Sequence, residues 1–318
     1  MAKEKQQCCA KFKTMIGGQA LIEGILMRGP TKQAIVIRKS DGTLVDKVEE
    51  PHFVREKHKW LGWPIIRGAV AFIESMVYGV KALTYSANML PEDEQEEPSK
   101  FEAWVEKKLG SEKAEKFFID LAVVLGVVLS VGLFVLLPTL IAGWVTDAGA
   151  TTFWRNFTEG GIRIVIFLLY MFFCTKSPDL KRVFEYHGAE HKAIFCYEKG
   201  LELTVDNVRP QSRFHPRCGT SFLFIVMIIS IFVFSFLSWS NPLVRMATRI
   251  ALLPVVMGFS YEIIHWAGAH DNWLSTALSA PGKALQRLTT AEPDDGMMEC
   301  AIEALKLVIP EQKGADKW

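Results

Sequence analysis

The sequence predicts a mainly α membrane protein: about four transmembrane helices, an interfacial amphipathic helix, and a small cytoplasmic α+β part containing a β-hairpin. Three observations predict it. Hydrophobic residues make up 50% of the 318-residue chain and cluster into long uncharged stretches. Lysine and arginine collect in alternate loops, the asymmetry that orients polytopic chains. Two β-branched runs flank an Asp41-Gly42 turn near the start.

The first part, 1–59, is read as a cytoplasmic β-rich segment. Ala34 to Ile37 and Thr43 to Val48 form the hairpin around Asp41-Gly42. The preceding stretch from Ile16 to Pro30 is rich in glycine without the spacing of a phosphate loop, so it either lines a site or shapes a strand and turn. No apolar leader follows the charged start, and no signal peptide is expected. Residues 60–90 read as an amphipathic or re-entrant helix with Arg67, Glu74 and Lys81 on one stripe. Residues 91–116 form a charged linker.

Leu121 to Val145 holds 25 consecutive uncharged residues, enough to cross a hydrocarbon core of roughly 30 Å. The spans are placed at 117–145, 160–175, 218–244 and 250–269. In the second, Arg163 is expected to snorkel to the headgroups. In the third, Asn241-Pro242 is the expected break. The fourth carries Glu262 and His265, which should face protein instead of lipid. Residues 98–116 and 176–217 carry five and eight basic residues, against Arg155 alone in 146–159. Both termini and the middle loop are therefore placed in the cytoplasm of a multi-pass inner-membrane protein. Net charge is +1 and no basic patch is interleaved with aromatics, so nucleic acid is not an expected partner. The six cysteines (8, 9, 174, 196, 218 and 300) form no CxxC pair and are read as free thiols.

Chemistry concentrates in 176–217. Ser177-Pro178-Asp179 starts a helix and Gly200 stops it. On it Leu180, Phe184, His187, His191 and Phe195 share one stripe, and Glu190 lies beside them, giving His-x-x-Glu-His. Two imidazoles one turn apart can hold a divalent metal, zinc by donor type, and Glu190 can serve as general base. The spacing also fits histidines that merely cap polar groups between helices. Glu262 is the expected third ligand with His265 as an alternative, and a Glu-x-x-His pair leaves one metal or two open. The competing reading pairs Glu262 with Arg163 or a basic loop residue. His215 and Cys218 form an HxxC at the mouth of the third span, either soft-metal donors or an interfacial anchor. His270 and Asp271 either orient a ligand or end the helix.

Three motifs in order carry a resemblance: GGQALIEGILMRGP, VFEYHGAEHKAIFCYE and HPRCGTSF. With them the chain resembles the YqhQ-like family of bacterial membrane proteins, which carries a domain of unknown function. The resemblance covers most of the chain and implies a metal-dependent enzyme; it supplies no substrate. The expected function is a membrane-embedded hydrolase, of peptidase or amidase type, acting at the cytoplasmic face on a membrane-associated substrate. The alternatives are an ion or small-solute transporter, for which a homo-oligomer would have to make up the few spans, and a membrane assembly or scaffold factor.

Overall fold

The computed structural model describes residues 12–51, 54, 58–89, 100–146, 149–237, 241–312 and 314–318. Strands β1 (Gly17–Leu21), β2 (Gly24–Arg28), β3 (Gln33–Arg38) and β4 (Leu44–Glu49) come first. Then follow α1 (Ile66–Ala87), α2 (Lys100–Leu109), α3 (Ser111–Val131), α4 (Leu137–Val145), α5 (Thr152–Cys174) and α6 (Pro178–Glu198). The rest comprises α7 (Val205–Val208), α8 (Gly219–Phe234), α9 (Pro242–Ala269), α10 (Trp273–Thr289) and α11 (Asp295–Val308). The contacts divide the chain into two units: Met1–Met89, Met171–Ser230 and Met246–Trp318 form one; Leu90–Tyr170 and Ile231–Arg245 form the other.

In the first unit the four strands make an antiparallel meander in the order β1-β2-β3-β4. The expected hairpin is β3–β4. Gly42 takes the positive φ that its turn requires, and the Thr43 N–H donates to the Asp41 carboxylate at 2.9 Å. The glycine-rich segment builds the second hairpin, β1–β2, paired from Gly17 with Arg28 to Leu21 with Gly24. Its two-residue turn places Glu23 at φ 50°, and the Glu23 carboxylate is held by Arg182 and by the Tyr186 hydroxyl.

Both sheet faces are buried. One set of side chains, Leu21, Leu26, Ile35 and Ile37, packs with Ala82 of α1. The other, Ile25, Met27, Ala34 and Val36, meets α6 and α11. Helix α11 is capped by Asp294, whose carboxylate accepts the Met297 N–H, and it buries Met297, Ala301, Leu305 and Val308. Helix α1 is thus a layer on the sheet, and the charged residues of its expected stripe find protein partners. Glu74 is buried and accepts the Val54 N–H, and Arg67 binds Glu262.

Among the described residues three helices are long and apolar enough to cross a membrane: Lys116–Val145, Thr152–Cys174 and Val244–Ala269. The first runs through a π-helical stretch at Gly132–Leu136. The expected span at 218–244 is corrected. Helix α8 stops at Phe234 after 16 residues, short of the roughly 20 a span needs, and Pro242 opens α9 instead of closing a helix before it. Lack of charge marks a stretch as apolar, but Ser235 turns its hydroxyl onto the Ile231 carbonyl at 2.6 Å, a local bond that competes with helix continuation. Arg163 is corrected as well: within the second unit it binds Glu159 at 3.0 Å and the Phe134 carbonyl at 2.8 Å. An arginine in an apolar helix is satisfied there by protein partners.

Gly188 fixes how closely the chain after α10 rides on α6. The Ala291 N–H donates to the Phe184 carbonyl at 2.8 Å, and a Cβ at residue 188 would collide with the Ala291 carbonyl oxygen. Gly188→Ala is therefore expected to destabilise the fold by about 1–3 kcal/mol, the usual range for overpacking, read as a lowered unfolding midpoint in detergent. An unchanged midpoint would mean that this approach is not tight.

Candidate metal centre

Helix α6 begins as its sequence directs, with Pro178 in its first turn and Asp179 favourably placed at the positive end. Ser177 occupies the cap position, but its side chain makes no capping hydrogen bond. The helix has two inward faces. Tyr186, Ala189, Ala193 and Cys196 enter the core beneath the sheet. His187, Glu190, His191 and Ile194 line a cavity of about 680 Å³.

Two main-chain carbonyls orient the imidazoles. His187 Nδ1 donates to the Thr289 oxygen at 2.8 Å, and His191 Nδ1 donates to the Arg213 oxygen at 2.6 Å. A carbonyl only accepts, so the proton sits on Nδ1 in each ring and Nε2 is left for a ligand, the arrangement that supports metal-binding histidines. His187 Nε2 lies 3.2 Å from Cys218 Sγ, and donor atoms of His187, His191 and Cys218 all lie within 4.8 Å of one another. A tetrahedral ion with bonds of roughly 2.0–2.3 Å joins donors under about 4 Å apart, so small side-chain rotations would be needed for the three to share one ion. Two imidazoles and a thiolate are a fitting donor set for zinc.

The electrostatics favour the ligating form of the thiol. Burial acts to raise the Cys218 pKa, yet His187 and His191 outweigh it and hold the thiol well below its usual value. For His187, burial disfavours the charged ring, but Cys218 and Glu190 raise its pKa above the ordinary one. Burial raises the Glu190 carboxyl, against the pull of both histidines. Glu190 Oε1 accepts the Gly18 N–H of β1 at 2.8 Å. Among the described residues its Oε2 has no hydrogen-bond partner, although the residue is only 5% exposed. Such an oxygen is costly unless something polar joins it.

Behind the donors lies a second ionic group. Glu198 is buried, accepts the Thr14 N–H at 2.8 Å, pairs with Arg217, and lies 3.6 Å from His215 Nε2. The Gln286 amide clamps the His215 main chain, accepting its N–H and donating to its carbonyl, each at 2.7 Å. Burial lowers the His215 pKa to about 4, so this ring stays neutral near neutrality. Its ring lies 5.5 Å from that of His191.

Of the residues expected at the site, His187, Glu190 and His191 converge, Cys218 joins them as a donor, and His215 stands behind. Glu262 and His265 do not. Both Glu262 oxygens are taken by Arg67, at 2.6 and 2.7 Å, with the Ile65 N–H on one of them. His265 lies between the rings of Tyr261 and Trp318 at 5.9 and 5.1 Å. Depth along a helix placed Glu262 near the histidines, but depth does not fix which way a residue points. His270 bonds the Trp266 carbonyl and Asp271 pairs with Lys13, so neither orients a donor. The sequence reading missed Gly18 and the carbonyls of Arg213 and Thr289, which carry no side-chain signal. Cys218 was legible in the HxxC pattern.

Comparison with known proteins gives a family and no activity. The profile of a family described as "Protein of unknown function (DUF1385)" matches residues 63–311. The chain is 34% identical over 303 residues to "Uncharacterized protein YqhQ" of Bacillus subtilis (strain 168), covering 94% of this chain and 93% of that protein. No solved structure matches.

Glu198 neutralises a guanidinium that is itself buried. Glu198→Gln is expected to cost about 3–5 kcal/mol in unfolding free energy by leaving Arg217 uncompensated, measured by chemical denaturation. Burial opposes ionisation here, but His215, Arg217 and the Thr14 N–H together hold the Glu198 carboxyl below its ordinary 4.5. Its stabilisation is complete above that value and is lost as pH falls through the lowered one. The wild type should therefore lose stability on acidification and the variant should lose less; parallel pH profiles would remove Glu198 as the cause.

Proposed function

We propose that this chain, which belongs to the DUF1385 family of proteins of unknown function, is a membrane-embedded, metal-dependent hydrolase with zinc held by His187, His191 and Cys218. The observation that carries the reading is the Oε2 of Glu190, unpartnered among the described residues, beside two imidazole nitrogens and a thiol sulfur that converge at the wall of a cavity. A bound zinc ion would supply Lewis-acid activation of a water molecule and of the scissile carbonyl. Glu190 takes the water's proton on Oε2 while Gly18 holds Oε1, and the proton then passes to the leaving group. Burial raises the Glu190 pKa toward the range in which a carboxylate both accepts and returns a proton. Thr289 and Arg213 keep the imidazoles aimed during the reaction. Three protein donors leave a fourth position for water, as catalytic zinc requires.

The three apolar helices support insertion in a membrane, which this reading takes to be the bacterial inner membrane. The lysine and arginine distribution supports a cytoplasmic site and cytoplasmic termini.

Elemental analysis of the purified full chain is expected to find one zinc per molecule. His187→Ala, His191→Ala and Cys218→Ala should each lose it, whereas Glu262→Ala should keep it. Glu190→Gln should retain zinc yet lower the hydrolysis rate of a fluorogenic apolar peptide by about 10²–10⁴-fold. Zinc retained by the Cys218 variant would overturn the ligand set, and undiminished hydrolysis by the Glu190 variant would overturn the base.

A further inference from the structure

The cavity is bounded along one side by an open sheet edge. Strand β1 pairs only with β2, and in the β1-β2-β3-β4 meander its other side is an edge. Thr14, Gly18 and Ala20 line the same cavity as His187, Glu190, His191 and Cys218. In an antiparallel pair the main-chain groups of alternate residues point away from the partner. Gly18 is such a residue, since its N–H reaches Glu190 and not β2. Two residues on, Ala20 presents its N–H and carbonyl in the same direction. Outside the β1–β2 ladder, no hydrogen bond among the described residues takes up the Ala20 N–H or the carbonyls of Gly18 and Ala20.

Edges of this kind are normally covered, charged or shortened, because they template the pairing of another strand. Here the edge N–H groups before Ala20 are already engaged, Thr14 by Glu198, Ile16 by the Thr14 hydroxyl and Gly18 by the proposed base, so that the Gly18 carbonyl and the main chain of Ala20 are what the edge still offers. The same cavity has an apolar lining from Ala71, Phe72, Met76 and Val80 of α1 and Phe222 of α8. Gly18 also permits close approach, for a Cβ there would crowd the Glu190 carboxyl carbon at 3.1 Å.

We propose that β1 is the substrate-aligning edge of the site: an extended peptide with apolar side chains pairs with the Gly18 carbonyl and with the N–H and carbonyl of Ala20, laying a peptide bond across Glu190 and the metal donors, while the Gly18 N–H stays on Glu190. This rests on the hydrolytic reading and narrows it from hydrolases in general to peptidases. Main-chain hydrogen bonds supply register and affinity, and the apolar wall supplies side-chain preference, the division of labour in strand addition. An acyl lipid would use the wall and leave the edge unused.

The test compares three zinc-directed probes on the zinc-loaded full chain in detergent by titration calorimetry. They are a Leu-Phe-Leu peptide hydroxamate, the same compound methylated on its main-chain nitrogens, and octyl hydroxamate, which has no peptide amides. The peptide is expected to bind at least about tenfold more tightly than its methylated twin, the loss that one or two main-chain hydrogen bonds predict. Ala20→Pro, which removes one edge N–H where proline is tolerated, should cost the peptide a similar factor and leave octyl hydroxamate unchanged. Equal binding of the two peptides overturns the edge while octyl hydroxamate binding keeps the metal site. Tighter binding of the octyl compound than of the peptide overturns the peptide in favour of an acyl chain. If no hydroxamate binds, the metal reading fails, and the edge proposal with it.

Discussion

The site depends on how closely α6 is held by main chain on several sides. Ala291 lies flush on Gly188, the Gly18 N–H binds Glu190, and the carbonyls of Thr289 and Arg213 fix the two imidazoles. These groups have no rotamers to lose, so they set ring orientation at little entropic cost. Two glycines make the approach possible from opposite sides. A larger residue at either position would push away the segment that orients a donor, so packing and chemistry share the same few contacts.

Charge is separated into two buried compartments. One holds Cys218, His187, His191 and Glu190, where a thiol and a carboxyl meet two rings in little water. The other holds Glu198 with Arg217 and His215, where a full ion pair is closed off and further anchored by Thr14. Keeping Arg217 neutralised by Glu198 limits its pull on the Cys218 thiol one residue along the chain. The thiol is then governed by the imidazoles beside it. The Gln286 clamp on His215 fixes the segment that carries both compartments.

The same rule of local satisfaction explains the polar residues in apolar helices. Arg163 finds Glu159 and a carbonyl within its own unit, and Glu262 finds Arg67 across to α1. An acid in a candidate span is costly without a partner, but the cost says only that a partner exists. A guanidinium with forked donors satisfies both carboxylate oxygens at once, which an imidazole cannot do.

What the sequence by itself determined is what local pattern encodes. The Asp41-Gly42 hairpin, the helix from Pro178, the pairing of His187 with His191 one turn apart, and long apolar helices in roughly their observed places follow from turn chemistry, periodicity and runs without charge. Tertiary structure decided the rest. The choice of Cys218 over Glu262 as third donor depends on helix azimuth and on chain return through residues 209–218, neither of which has a period to read. The core face of α6, Tyr186-Ala189-Ala193-Cys196, is hidden in the sequence because alanine signals burial only weakly, and the more apolar stripe through His187 carries the stronger pattern. The orienting groups are main-chain carbonyls and a glycine N–H, present at every residue and informative only once folding brings particular ones to the site.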